Sequence, residues 1–183
     1  MRARQPQLPL LWLLSDARND DRLEPALAAL PRGSGFVYRH YHLGDAERRL
    51  RFDVLARGAR RYGHLVILAA PPALAEAWGA DGVYGAASDA ASHGEMPFYA
   101  AAHDGDDIIA AGGGGAVAIF LSPVFPTRSH PGARTLGIHG FHVLAQQSPV
   151  PVIALGGMTA ARARLLHWPR WGAIDGLVLP QDS

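Results

Sequence analysis

Short, nearly continuous apolar runs recur along the whole chain, and helix-like segments separate them. The runs occupy residues 10–14, 36–41, 65–68, 82–85, 98–102, 116–121, 150–155 and 176–179. A run without alternation leaves no polar face for water, so a strand built from it needs cover on both sides. Parallel sheets flanked by helices provide that cover. Leu23, Leu27 and Leu30 share one face of a helix over 22–30, and 45–61 reads as a strongly basic amphipathic helix with Leu50, Val54 and Leu55 turned inward. Further helices are expected over 72–78, with proline at an early position, over 106–111 and 138–146, and from the capping residue Thr159 to near His167. Eight strands alternating with helices predict one α/β domain, a (β/α)8 TIM barrel.

The length sharpens that expectation. Such barrels typically need about 200 residues or more, and this chain has 183. The economy shows in a fourth helix reduced to residues around 90–95 and in the lack of a helix after the eighth strand. An uncovered strand pair would expose apolar surface, so a homo-oligomer that covers the gap is expected.

Several function classes are excluded by what the chain lacks. It has no Cys, and all 17 of its basic residues are Arg. Thiolate chemistry, disulfides, lysine Schiff bases and a Walker-A loop are therefore out. The net charge of +1 comes without a basic stripe, and the arginines of 48–61 have no aromatic platform beside them, so they read as a solvated face and no nucleic-acid partner is expected. No apolar stretch reaches the roughly 20 residues of a membrane span. The apolar residues 8–14 follow Arg2 and Arg4 as a secretory signal would, but they lead into Ser15-Asp16-Ala17-Arg18 rather than a small-residue cleavage site. They are read as a buried strand, and the protein as cytoplasmic without membrane partners.

In a barrel of this kind, chemistry belongs at the C-terminal ends of the strands. There the chain offers Arg39, Asp89, His103, the loop Ser122-Pro123-Val124-Phe125-Pro126-Thr127-Arg128-Ser129-His130, and Gly156-Gly157. Prolines stiffen the loop, which presents two hydroxyls at Thr127 and Ser129, a guanidinium and an imidazole. Glycines after strand seven admit an anion to backbone N–H groups at the start of a helix, and the same pair equally suits a tight turn. His103 closes strand five and carries the one side-chain type that titrates near neutral pH.

The Pro-Val-Phe-Pro-Thr-x-Ser loop with Leu136-Gly137 behind it, followed by Pro151-Val152-Ile153-Ala154-Leu155-Gly156-Gly157-Met158, resembles the thiamine phosphate synthase family and its TenI-like relatives. Residues 11–16, Tyr38-Arg39, Ala80-Asp81-Gly82-Val83 and Ala102-His103 fall in register with the same pattern. The resemblance implies a barrel that holds a small-molecule thiazole phosphate across the loops after strands six to eight. Thr127, Ser129, Gly156 and Gly157 would bind it, with Arg39, Arg128, His130 and Asp89 elsewhere in the pocket.

Departures from the pattern concentrate on the pyrimidine, pyrophosphate and Mg²⁺ half of the site. The Asn-Asp pair after strand three is Ala69-Ala70, the Gln and Lys flanking Arg39 are Val37 and Tyr41, and the lysine after the hydroxyl loop is His130. The serine before His103 is Ala101, and the one expected at the end of strand eight is Pro180. Only Asp89 matches a metal carboxylate, so no metal and no cofactor are expected unless the chain is a synthase that uses Mg²⁺. Three readings follow. The first is a thiamine-biosynthesis enzyme of tautomerase type, with His103 moving a proton on a thiazole phosphate without metal. The second is a synthase coupling a pyrimidine pyrophosphate to the thiazole phosphate. The third is a barrel that binds a phosphate ligand and catalyses nothing.

Overall fold

The computed structural model describes residues 8–129 and 131–178. Eight parallel strands form a closed barrel in sequence order: β1 (Leu11–Leu14), β2 (Gly35–Tyr38), β3 (Leu65–Leu68), β4 (Gly82–Ala86), β5 (Phe98–Ala102), β6 (Ala118–Leu121), β7 (Val152–Ala154) and β8 (Trp171–Ala173). Closure comes from β8 pairing back onto β1, Leu11 opposite Trp171 and Leu13 opposite Ala173. Among the described residues six helices wrap the outside: α1 (Leu23–Ala29), α2 (Asp45–Arg61), α3 (Pro72–Ala77), α4 (Gly105–Gly113), α5 (Gly137–Gln147) and α6 (Ala160–Leu166). A 3-10 helix, Ala17–Arg22, precedes α1, and another, Ala87–Ser92, replaces a full helix after β4. The reduced fourth crossover is thus present.

Alternation along each strand divides the core in two. Trp12, Leu14, Val37, Ile67, Phe120 and Ile153 fill the barrel interior, while Leu13, Phe36, Tyr38, Val66 and Leu121 point outward to the helices. Trp12 packs edge-on against Phe120 at 5.3 Å and donates its indole N–H to Pro9 O. Gly35, opposite Trp12 on the neighbouring strand, leaves the space that the indole occupies.

Three expectations are corrected. In α2 the buried stripe is Phe52, Leu55, Ala56 and Ala59, whereas Leu50 and Val54 are 68% and 44% exposed. Large apolar residues set the expected phase, but a helix lying close on a barrel prefers small alanines at the contact. The second strand stops at Tyr38, because His40 takes a left-handed φ of 29° that a ladder cannot continue. The eighth strand is Trp171–Ala173 rather than 176–179. Trp168, stacked edge-on to Phe141, donates to Val152 O and brings the chain straight back to the barrel. Leu177 and Val178 then pack against the outer core instead of joining a ladder. Leu13, Trp171 and Ala173, where the barrel closes, are buried. Pro180 lies outside the described residues.

The basic face of α2 is also more than solvated. Arg48 donates to the carbonyls of Arg39 and Ala69, and Arg51 to Asp20 and Glu24. These arginines tie the helix to the strand ends and to the 3-10 helix beside it.

Candidate active site

A cavity of about 400 Å³ opens at the C-terminal ends of the strands. The loop after β6 contributes Ser122, Pro126, Thr127, Arg128 and Ser129, and the turn after β7 contributes Gly156, Gly157 and Thr159. Arg162 of α6, Asp175 after β8, Arg39 after β2 and Tyr84 of β4 complete the polar lining.

Three hydroxyls are part of this lining. Thr127 Oγ1 accepts the Ser129 N–H at 3.2 Å, Ser129 Oγ accepts Arg18 Nη2 at 3.0 Å, and Thr159 Oγ1 accepts the Arg162 N–H at 3.2 Å. Each oxygen already receives a hydrogen bond, while its own proton has no acceptor among the described residues. The N–H groups of Gly156 and Gly157 likewise meet no protein acceptor there. Both glycines have positive φ, 92° and 62°, and a Cβ on Gly157 would lie 2.4 Å from Pro126 O. The turn therefore presses against the loop after β6 and leaves these two donors uncommitted. Hydrogen-bond donors of this kind are the groups that an anion requires.

The Arg39 guanidinium donates to Ser15 O at 3.1 Å and to Asp16 Oδ2 at 3.0 Å, and it stands beside the Tyr84 hydroxyl. Burial raises the pKa of Tyr84, with Arg39 opposing, so the phenol stays a neutral donor. Arg39 is held from behind. Ser15 Oγ accepts the Arg39 backbone N–H at 2.7 Å and lies 2.8 Å from His40 Nδ1, and His40 Nε2 lies 2.7 Å from Asp20. This Ser-His-Asp chain has the connectivity of a nucleophilic triad. Ser15 and His40 are buried, however, and the hydroxyl is already engaged by the Arg39 N–H and by His40. Its role is to fix Arg39. Burial lowers the pKa of His40 despite Asp20. Desolvation raises that of Asp20, but the bonds from His40 and Arg51 outweigh it and leave it lowered.

Of the residues singled out from the sequence, Arg39, Thr127, Arg128, Ser129, Gly156 and Gly157 come together in this cavity. His103 stands exposed at the rim, outside the lining. Its Nδ1 is 2.9 Å from Ser122 O, and its backbone N–H goes to Asp107 at 2.8 Å. A carbonyl only accepts, so Nδ1 carries the proton and Nε2 of the neutral ring keeps its lone pair. Asp89 is exposed on Ala87–Ser92 and does not line the cavity, and His130 lies outside the described residues. Tyr84, Arg18, Asp175 and Arg162 escaped the sequence reading. Arg162 alone left a signal there, because a cation at the third position of a helix runs against the helix dipole.

The match to known proteins decides the family. The profile described as thiamine monophosphate synthase aligns with residues 11–167, most of the chain. The chain belongs to this family. Among solved structures, thiamine phosphate pyrophosphorylase from Pyrococcus furiosus superposes with a TM-score of 0.78 at 22% identity, covering 92% of this chain and 86% of that one. The YdjI aldolase of Escherichia coli K12 superposes at 0.64 and 10% identity, covering 91% and 75%, which reflects the shared barrel alone. A protein of Aquifex aeolicus provisionally named thiamine-phosphate synthase 2 is 38% identical over 53 residues. That stretch spans 29% of this chain and 28% of the relative's length. Among the described residues, no helix of this family member is long and apolar enough to cross a membrane.

Proposed function

We propose that the chain acts on a thiazole phosphate by proton transfer that needs no metal. The observation that carries this reading is that the Thr127, Ser129 and Thr159 hydroxyls and the Gly156-Gly157 turn, whose N–H groups meet no protein acceptor among the described residues, line the same cavity. The phosphate sits against these groups, and the ring extends toward Ser122 and Tyr84. His103 is the acid/base, with Nε2 open to take a proton while Ser122 O holds Nδ1. Proton transfer between two ring positions asks for one such group, and this contributes about 10²–10⁴-fold in rate.

The family also implies Mg²⁺ and a pyrophosphate, and the donors here do not fit them. The carbonyl of Ala69, where the resemblance expects the first metal-binding pair, accepts Arg48 Nη2 at 2.7 Å. That guanidinium also holds Arg39 O and lies 5.6 Å over the Trp78 ring. Ala69 and Ala70 have no side-chain oxygen to offer a metal, and a fixed guanidinium stands beside them. Among the described residues no three His, Asp or Glu side chains cluster as ligands. No step is derived through the metal.

The synthase reading has one argument in its favour, the names of the family and of its relatives. It requires strong positive charge for a departing pyrophosphate, and Arg39, a cation of the cavity lining, already faces Asp16. Two assays separate the readings: tautomerisation of a thiazole carboxylate phosphate without metal, and coupling of the two synthase substrates with Mg²⁺. Turnover is expected in the first alone. Turnover in the second would overturn the proposal, and phosphate binding without turnover in either would favour a non-catalytic barrel.

A further inference from the structure

The arginines around the cavity do not offer their charge equally. Arg39 faces Asp16 at 3.0 Å, and Arg128 faces Asp175 at 3.1 Å with 73% of its side chain exposed. Arg18, behind Ser129, faces Asp16 at 3.4 Å and Asp175 at 3.8 Å. Each of these cations is answered by a carboxylate of the protein. Arg162 has no carboxylate within ion-pair distance among the described residues.

Its guanidinium is nonetheless well placed. Nη1 donates to Gly157 O at 2.5 Å, and the group lies 5.2 Å from the centre of the Phe125 ring. A guanidinium carries five N–H donors in a planar fork. One is used, and the others meet no protein acceptor among the described residues. The fork lines the same cavity as the three hydroxyls, and a Cβ on Gly157 would come within 2.9 Å of Nη1.

We infer that Arg162 is the residue that supplies the counter-charge for the ligand's phosphate and so selects a phosphorylated ligand over its unphosphorylated alcohol. The inference rests on the thiazole phosphate reading above. Phe125 and Gly157 hold the side chain before any ligand arrives, so binding costs little further ordering. Arg128, the cation that the sequence offered for this role, is neutralised by Asp175 and turned to solvent.

The test measures affinities of the parent, Arg162→Gln and Arg162→Lys for three probes by calorimetry. The probes are inorganic phosphate, a thiazole phosphate and the same thiazole with a free hydroxyl. Arg162→Gln should weaken both phosphate probes about 10- to 100-fold. It should leave the alcohol within about twofold, which also shows that the cavity is intact. Lysine should recover part of the loss, since it keeps the charge without the fork. If Arg162→Gln binds both phosphate probes as the parent does, the inference is overturned and the thiazole phosphate reading stands. If the parent binds inorganic phosphate through Arg162 but neither thiazole, the inference stands and that reading falls. A parent that binds no phosphate probe overturns both.

Discussion

Replacing Gly157 with alanine tests the turn on which the whole site depends. The residue has φ +62°, and its new Cβ would meet Pro126 O at 2.4 Å, Arg162 Nη1 at 2.9 Å and Phe125 Cβ at 3.1 Å. The arginine can swing aside. The Pro126 carbonyl is backbone in a proline-stiffened loop and has to be pushed. A left-handed conformation costs a non-glycine residue about 1–2 kcal/mol, and overpacking against a fixed neighbour adds about 1–3 kcal/mol. Each kcal/mol lowers Tm by about 2–4 °C in a domain of this size, so the fall should be on the order of 10 °C. Gly63→Ala separates the two terms, because Gly63 has φ +71° and nothing within 4 Å of its Cβ position. It should lose only the conformational part, a fall of about 2–8 °C. Both variants are melted by circular dichroism with and without inorganic phosphate. The phosphate-dependent rise in Tm should vanish in Gly157→Ala and persist in Gly63→Ala. Equal falls in the two variants would refute the close contact with Pro126, and an undiminished phosphate shift in Gly157→Ala would refute the anion site.

Other outcomes follow from the same geometry. His103→Ala and His103→Gln should each cut turnover about 10²–10⁴-fold with little change in affinity for a thiazole phosphate, and parent-like turnover in both would make the ring structural. Burial holds the pKa of His40 below 6.5 in the fold, against the partial pull of Asp20. The unfolded chain therefore takes up this proton first, and the stability linked to it is full above about pH 6.5 and is lost as pH falls below that value. Tm should accordingly drop more between about pH 7.5 and pH 5 in the parent than in His40→Gln, and parallel profiles would contradict the assignment. Calorimetric titration with Mg²⁺, with no pyrophosphate present, should give no saturable heat, and tight saturable binding would contradict the reading of Arg48 as the resident cation.

The sequence reading went furthest where one local property decides the outcome. Runs without alternation marked β1 and β3 to β7 because a strand covered on both faces has no other way to look. Thr159 marked the start of α6, and its oxygen does accept the Arg162 N–H. The paired glycines marked a turn that requires positive φ. Where several properties compete, the reading slipped. The run at 176–179 has a strand's composition, but the register of β1 and β7 had already assigned the eighth place to Trp171–Ala173. Leu50 and Val54 outweighed the alanines of α2 in a hydrophobic pattern, although contact with the barrel favours small side chains.

By itself the sequence determined the barrel and marked the loop and glycine pair that line its cavity, because each is written in residues adjacent in the chain. Only the tertiary structure decided which charges remain available. Arg39, Arg128 and Arg162 are equivalent cations as letters. Pairing with Asp16 and Asp175 answers two of them and leaves the third without a carboxylate partner among the described residues. Ion pairing falls off over a few ångströms, and distances of that size between residues far apart in the chain exist only once the barrel has closed.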